Sequence, residues 1–119
     1  MTYEITTANA ARFIERVFNC VRDGEDSKGD RIDTWGIRHT NTGEKRLVHN
    51  TNQWEKKGCL NLKVVPHSNN RRVKAGFRYW SSFPREERNG NEADYYLGRF
   101  TELILVHFKD DCQKIIQLM

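Results

Sequence analysis

Apolar and polar residues recur with two different periods along this chain. Over residues 7–22 the apolar side chains return every three or four positions, which is the spacing of one face of an α-helix. They are Phe13, Ile14, Val17, Phe18 and Val21. Thr6 or Thr7 would cap the start of this helix, and Gly24 would end it in the left-handed conformation. The pattern therefore predicts an N-terminal helix over 7–22.

After a polar loop over 23–30, the period changes to two, as in β-strands with one buried face. The predicted strands are 31–39, 45–50, 59–65 and 72–80, separated by polar segments rich in glycine or asparagine. The last of them alternates most clearly. One of its faces carries Val73, Ala75, Phe77 and Tyr79, and the other carries Arg72, Lys74, Arg78 and Trp80.

The C-terminal part of the chain allows two interpretations. Residues 99–108 have the β-branched and aromatic content of a buried strand. A long helix is the alternative, because the positions Leu97, Phe100, Ile104, Phe108, Ile115 and Met119 also fit its period. We favour the strand, followed by a last helix that Asp110 or Asp111 caps.

This order of elements predicts an α+β fold in a single domain spanning residues 1–119. We expect an N-terminal helix, an antiparallel sheet of four or five strands, and a C-terminal helix packed on one sheet face. The second face would then meet solvent or a partner.

The positive charge is concentrated in the middle of the chain. The net charge of the 119 residues is +4. Residues 30–90 hold thirteen Lys/Arg and six Asp/Glu, which gives +7, whereas the flanking segments sum to −1 and −2. An excess of cations on strands favours an anionic partner such as nucleic acid.

The composition also indicates where the protein resides. Three scattered cysteines, Cys20, Cys59 and Cys112, favour reduced thiols over a disulfide framework. No leader-like apolar segment is present at the start, and no apolar run is long enough to span a membrane. We therefore expect a cytoplasmic protein that does not enter membranes.

We predict neither a metal site nor a cofactor. No two of the histidines and cysteines lie within four residues of each other, whereas zinc ligands usually come in close pairs. The chain also lacks the glycine-rich loops that hold dinucleotides or triphosphates.

Our leading hypothesis is a non-enzymatic binding protein with a basic, aromatic sheet face, and nucleic acid is the favoured partner. Lys and Arg side chains hold phosphates, and exposed bases stack on aromatic rings. The candidate binding residues are Arg72, Lys74, Arg78, Trp80, Lys45, Arg46, Lys56, Lys57, Lys63 and Trp54.

Two alternatives remain open at this point. The first is a protein-interaction module, such as an inhibitor or antitoxin-like accessory protein of a mobile element, which would use the same face and Trp54 as anchors. The second is a small metal-independent ribonuclease. In that enzyme His49 and His107 would act as base and acid while Lys63 holds the phosphate.

Overall fold

The computed structural model describes residues 2–51 and 53–118, and within these ranges it contains six strands and two α-helices. The first half comprises β1 (Thr2–Thr6), α1 (Ala10–Asp23), β2 (Trp35–His39) and β3 (Lys45–His49). The second half comprises β4 (Gly58–Val64), β5 (Arg72–Tyr79), α2 (Asn91–His107) and β6 (Lys114–Leu118). Short 3-10 turns at Arg85–Glu87 and Lys109–Asp111 flank α2.

The strands form one sheet in the order β2-β3-β4-β5-β1-β6, with antiparallel pairing throughout. β2 to β5 are neighbours in both sequence and space. β1 is inserted between β5 and β6, where Ile5 lies opposite Val73 on one side and opposite Ile115 on the other. The first and last strands of the chain are therefore direct neighbours.

Both helices pack on the same face of the sheet, and the core lies between them and the strands. α1 contributes Phe13 and Val17, and α2 contributes Phe100 and Ile104. The sheet contributes buried side chains that lie opposite one another on paired strands. These pairs are Ile5 and Val73, Leu47 and Leu60, and Leu62 and Ala75. We call the other side of the sheet, which carries neither helix, the open face.

The predicted N-terminal helix is confirmed, with a different cap. Asn9 precedes α1 in an extended conformation, and its side chain accepts a hydrogen bond from the Arg12 N–H. Neither Thr6 nor Thr7 serves as the cap, because Thr6 ends β1 and buried Thr7 lies between the two elements. Gly24 ends the helix with φ 78°, as expected for a left-handed stop.

The preferred interpretation of the C-terminal part is wrong. Residues 99–108 are not a strand, since α2 covers them up to His107. Its buried residues Leu97, Phe100 and Ile104 follow the helical spacing of the alternative. That alternative is right only as far as His107, because Ile115 lies in β6, and Met119 lies outside the described residues. Packing of this apolar stripe on the sheet outweighs the strand preference of the β-branched residues in it.

The predicted last helix is also wrong. Lys114–Leu118 is the edge strand β6, and the Asp110 and Asp111 carboxylates lie in the 3-10 turn before it. Pairing with β1 satisfies one edge of β6 along its whole length. The α+β class and the antiparallel sheet are confirmed, but the sheet has six strands, not four or five, because β1 and β6 join it.

No helix formed by the described residues has the length and apolar content that crossing a bilayer requires.

Candidate anion-binding sheet face

Cations greatly outnumber carboxylates among the strand residues that point to the open face. The register places seven cations there and, among the described strand residues, one carboxylate, which gives +6 before neighbouring loops are counted. The cations are Arg38, Arg46, Lys63, Arg72, Lys74, Arg78 and Lys114, and the carboxylate is Glu4. Two loop carboxylates, Glu44 and Glu55, also reach this side.

The half of the open face on β2 and β3 neutralises its own charge. Arg38 forms an ion pair with Glu55, and the Arg46 guanidinium lies 3.3 Å from Glu44. The Arg46 side chain is only 11% exposed, and it hydrogen-bonds the thiol of buried Cys59. Burial raises the pKa of that thiol. This half therefore presents few free cations to a partner.

The half on β4 and β5 neutralises its cations less completely. Lys63 and Lys74 lie directly opposite each other on paired strands, an arrangement that is unfavourable for like charges. Lys63 has one distant carboxylate, Glu44 at 4.0 Å. Lys74 and Arg78 pair with no carboxylate of the residues that the structure describes.

Arg72, a predicted binding residue, is different. Its guanidinium donates to Glu4 at 2.8 Å, across the β1–β5 pair. The same carboxylate lies opposite Lys74 in the register, but its ion pair is with Arg72. Arg72 is therefore committed to an internal ion pair.

A hollow lies among these cations, at Gly76. The neighbours opposite Gly76 are Asn61 on β4 and Thr2 on β1, and together with Lys63, Lys74 and Arg78 they line a depression of about 310 Å³. Gly76 does not have a positive φ, and a Cβ built there would lie 3.4 Å from Thr2 Cγ2, an ordinary contact. Neither backbone conformation nor packing therefore requires glycine at this position.

The remaining predicted binding residues lie elsewhere. Lys45 is on the helix side, 5.9 Å above the Phe18 ring, and Lys57 lies 4.3 Å above the Trp54 ring. Trp54 itself stacks on Tyr95 of α2 at 3.8 Å. Lys56 is exposed in the β3–β4 connection.

Trp80 lies at the margin of the open face. Its ring N–H donates to the backbone oxygen of Glu55 at 3.1 Å, and the residue is half-buried. The face that carries Lys74 and Arg78 thus has an aromatic ring at its edge rather than at its centre. A Trp54 anchor for a protein partner gains no support, since Tyr95 covers that ring.

The residues of the ribonuclease hypothesis fall into two groups. His49 and His107 line one pocket of about 440 Å³ beside α2, whereas Lys63 is on the open face, across the sheet. The His49 ring contacts Tyr95, and His107 follows twelve residues later, about 18 Å along the helix axis at 1.5 Å per residue. The two imidazoles are therefore at opposite ends of the pocket, too far apart to flank one phosphate.

Sequence reasoning missed the partner of His107. Its Nδ1 lies 2.7 Å from the buried Asp26 carboxylate, 81 residues earlier in the chain. Asp26 also accepts hydrogen bonds from the Lys28 and Asp30 N–H groups, so it organises the loop after α1. The hydrogen bond to His107 is the main reason that the Asp26 pKa is lowered. A short polar loop gave no signal for so distant a contact.

His49 is almost fully buried, and desolvation lowers its pKa. Its ring packs edge-on against Trp35 and Tyr95, and its Nδ1 lies 3.2 Å from the Thr51 hydroxyl. Burial therefore favours the neutral form of this imidazole.

Among the described residues, no three His, Cys, Asp or Glu side chains converge to hold a metal ion. Comparisons with known proteins found no matching family model, no similar curated protein and no similar solved structure. Any functional conclusion therefore comes from the surfaces described above.

Proposed function

We propose that this chain is a non-enzymatic binding protein whose open face engages nucleic acid through its phosphates. The observation that carries the proposal is the opposition of Lys63 and Lys74, next to Arg78 and around the Gly76 hollow. Like charges on residues that lie opposite each other on paired strands repel, and a phosphate placed between them turns that repulsion into attraction.

The arrangement favours phosphate contacts over the reading of bases. Lys63, Lys74 and Arg78 lie along β4 and β5, while the indole of Trp80 is at the margin and already hydrogen-bonded. Phosphate contacts carry no sequence information directly. We therefore expect binding that depends weakly on sequence and strongly on salt.

The test is fluorescence anisotropy with a labelled single-stranded oligonucleotide at several salt concentrations. If Lys63, Lys74 and Arg78 each hold one phosphate, the slope of log K against log salt is about −2 for single strands. A triple variant, Lys63→Gln, Lys74→Gln and Arg78→Gln, should bind at least about tenfold more weakly, with a shallower slope.

A matched control lowers the net charge by the same amount, through three substitutions away from the open face. Arg12→Gln, Lys28→Gln and Lys45→Gln alter cations on α1, on the loop after it, and on the helix side of β3. This variant should keep most of the affinity. Equal losses in the two triple variants would mean that only overall charge matters. No binding by the unmodified protein at low salt would remove the proposal.

A further inference from the structure

A second cavity is independent of the open face. The pocket of about 440 Å³ lies between the segment leading into β2 and one side of α2, on the helix side of the sheet. Its volume is within the range of small-molecule sites. We call it the histidine pocket, after His49 and His107, which line its two ends.

Both imidazoles in the histidine pocket are held through one nitrogen. His107 Nδ1 is bound by Asp26 at 2.7 Å, and His49 Nδ1 by the Thr51 hydroxyl at 3.2 Å. Within residues 2–51 and 53–118, no hydrogen bond to the Nε2 atom of either ring is found. Each ring is therefore oriented by the protein and has its second nitrogen uncommitted.

The hydrogen bond to Asp26 sets the proton on His107. A carboxylate at Nδ1 keeps a proton there, so Nε2 accepts a hydrogen bond when the ring is neutral and donates one when it is charged. In metal and catalytic sites this second contact orients the imidazole for work at its other nitrogen. A purely structural histidine has no need of a pocket at that nitrogen.

The walls of the histidine pocket also carry charge. Arg31 and Asp33 lie on the wall before β2, and Arg99 and Glu102 lie on α2. Arg99 and Glu102 pair with each other at 3.0 Å, which leaves the Arg31 guanidinium as a donor, together with His107 Nε2 when that ring is charged. Guanidinium and imidazolium groups together suit an anionic oxygen.

From these contacts we infer that the histidine pocket binds a small molecule with an anionic group, a phosphate or a carboxylate, which His107 Nε2 contacts. Because the sheet separates this pocket from the open face, the site is independent of nucleic-acid binding.

The experiment titrates the protein with inorganic phosphate, acetate and neutral glucose, and follows by NMR the histidine ring signals and the backbone amide signals of the pocket residues, which His107→Asn retains. The decisive variant is His107→Asn, because the shorter amide retains a donor near the Nδ1 position for Asp26 and lacks the Nε2 atom. At the same pH, this variant should bind phosphate or acetate about tenfold more weakly than the unmodified protein, because it loses one charge-assisted hydrogen bond. A second variant, Arg12→Gln, serves as the control, since it removes a cation on α1 that lines neither the histidine pocket nor the hollow of the open face.

If phosphate alone perturbs the His107 signals, the pocket is a phosphate site. If acetate perturbs them as well, the pocket is a general anion site. The inference is overturned if glucose perturbs these signals as strongly, if neither anion does, or if His107→Asn binds as tightly as the unmodified protein. Failure of oligonucleotide binding would leave this result unchanged, so the two proposals stand or fall separately. A thermal melt of His107→Asn checks that any loss does not come from unfolding.

Discussion

On the helix-covered face of the sheet, polar groups find partners inside the protein, whereas on the open face cations lie opposite cations. The buried Glu92 carboxylate accepts hydrogen bonds from Tyr79 and from two backbone N–H groups. Among the described residues, the one buried side-chain polar atom without a hydrogen bond is Arg46 Nε, on the open face. The two faces therefore differ in how completely the protein satisfies its own polar and charged groups.

Two glycines give the sharpest test of this comparison. A Cβ at Gly58 would lie 2.4 Å from the Arg78 carbonyl oxygen and 2.5 Å from the Phe77 ring, on the covered face. Gly58→Ala should therefore lower the free energy of unfolding by about 3 kcal/mol, as overpacking does. Urea denaturation measures this change.

Gly76→Ala is the matched variant on the open face, where the new methyl group has room. It should leave stability unchanged or raise it by roughly 0.5 kcal/mol, because glycine costs backbone entropy in a strand. Equal destabilisation by the two substitutions would show that the open face is as tightly packed as the covered one.

The next largest effect is expected at Tyr96. Its hydroxyl accepts from the His49 N–H at 3.2 Å and lies within 2.9 Å of the Trp54 and Gly58 carbonyl oxygens, to which its proton is donated. Desolvation raises the pKa of this phenol. Tyr96→Phe leaves these backbone groups without that partner, so it should cost about 2 kcal/mol.

Thermal and urea unfolding measure the change at Tyr96, and oligonucleotide affinity is the control. The affinity should stay the same, because Tyr96 is on the covered face. A loss of affinity in a folded Tyr96→Phe protein would connect the two faces and contradict the separation described here.

A smaller, pH-dependent effect is expected at Asp26. Its pKa is lowered in the folded protein, chiefly by the hydrogen bond from His107. Its contribution to stability is therefore complete above its unfolded pKa, about 3.9, and is lost as the pH falls through the folded value. Asp26→Asn should be less stable than the unmodified protein at pH 7, and the difference should shrink on acidification.

Urea midpoints measured from pH 7 down to pH 3 test this sign. Glu92→Gln is a useful comparison, since the Glu92 pKa is also lowered. A difference between Asp26→Asn and the unmodified protein that grows with acidification would show that Asp26 is protonated more easily when folded.

The smallest change in stability is expected on the open face itself. Lys63→Gln removes the charge opposite Lys74 and should change the free energy of unfolding by about 0.5 kcal/mol or less, in the stabilising direction. Oligonucleotide affinity should fall in the same protein. A variant that is more stable and binds less well would directly support a face kept unfavourable for binding.

The local pattern predicted those elements whose partners are close in sequence. Alternation identified β5 and the split between Val73 and Lys74, and the helical period identified α1. The local pattern does not predict which strands pair when they are far apart in the sequence. β1 has five residues, and only its contacts with both β5 and β6 make it a strand in the centre of this half of the sheet.

The site was predictable to a similar degree. The unpaired cations Lys74 and Arg78 follow from the period of two along one strand. The Glu4–Arg72 ion pair and the contact between Asp26 and His107 depend on tertiary folding, which brings together residues far apart in the sequence. Sequence spacing indicates which face a residue occupies, but not which distant carboxylate neutralises it.

The insertion of β1 between β5 and β6 has a consequence for the order of assembly. Strands β2 to β5 can form as successive hairpins. By contrast, β1 pairs with β5, which begins 66 residues after the last residue of β1, so this pairing closes a long loop. Thr2 is one wall of the Gly76 hollow, and Glu4 is the counter-ion of Arg72. We therefore expect the proposed binding surface to be completed in a late folding step, so that a partly folded chain with β2 to β5 in place would lack it.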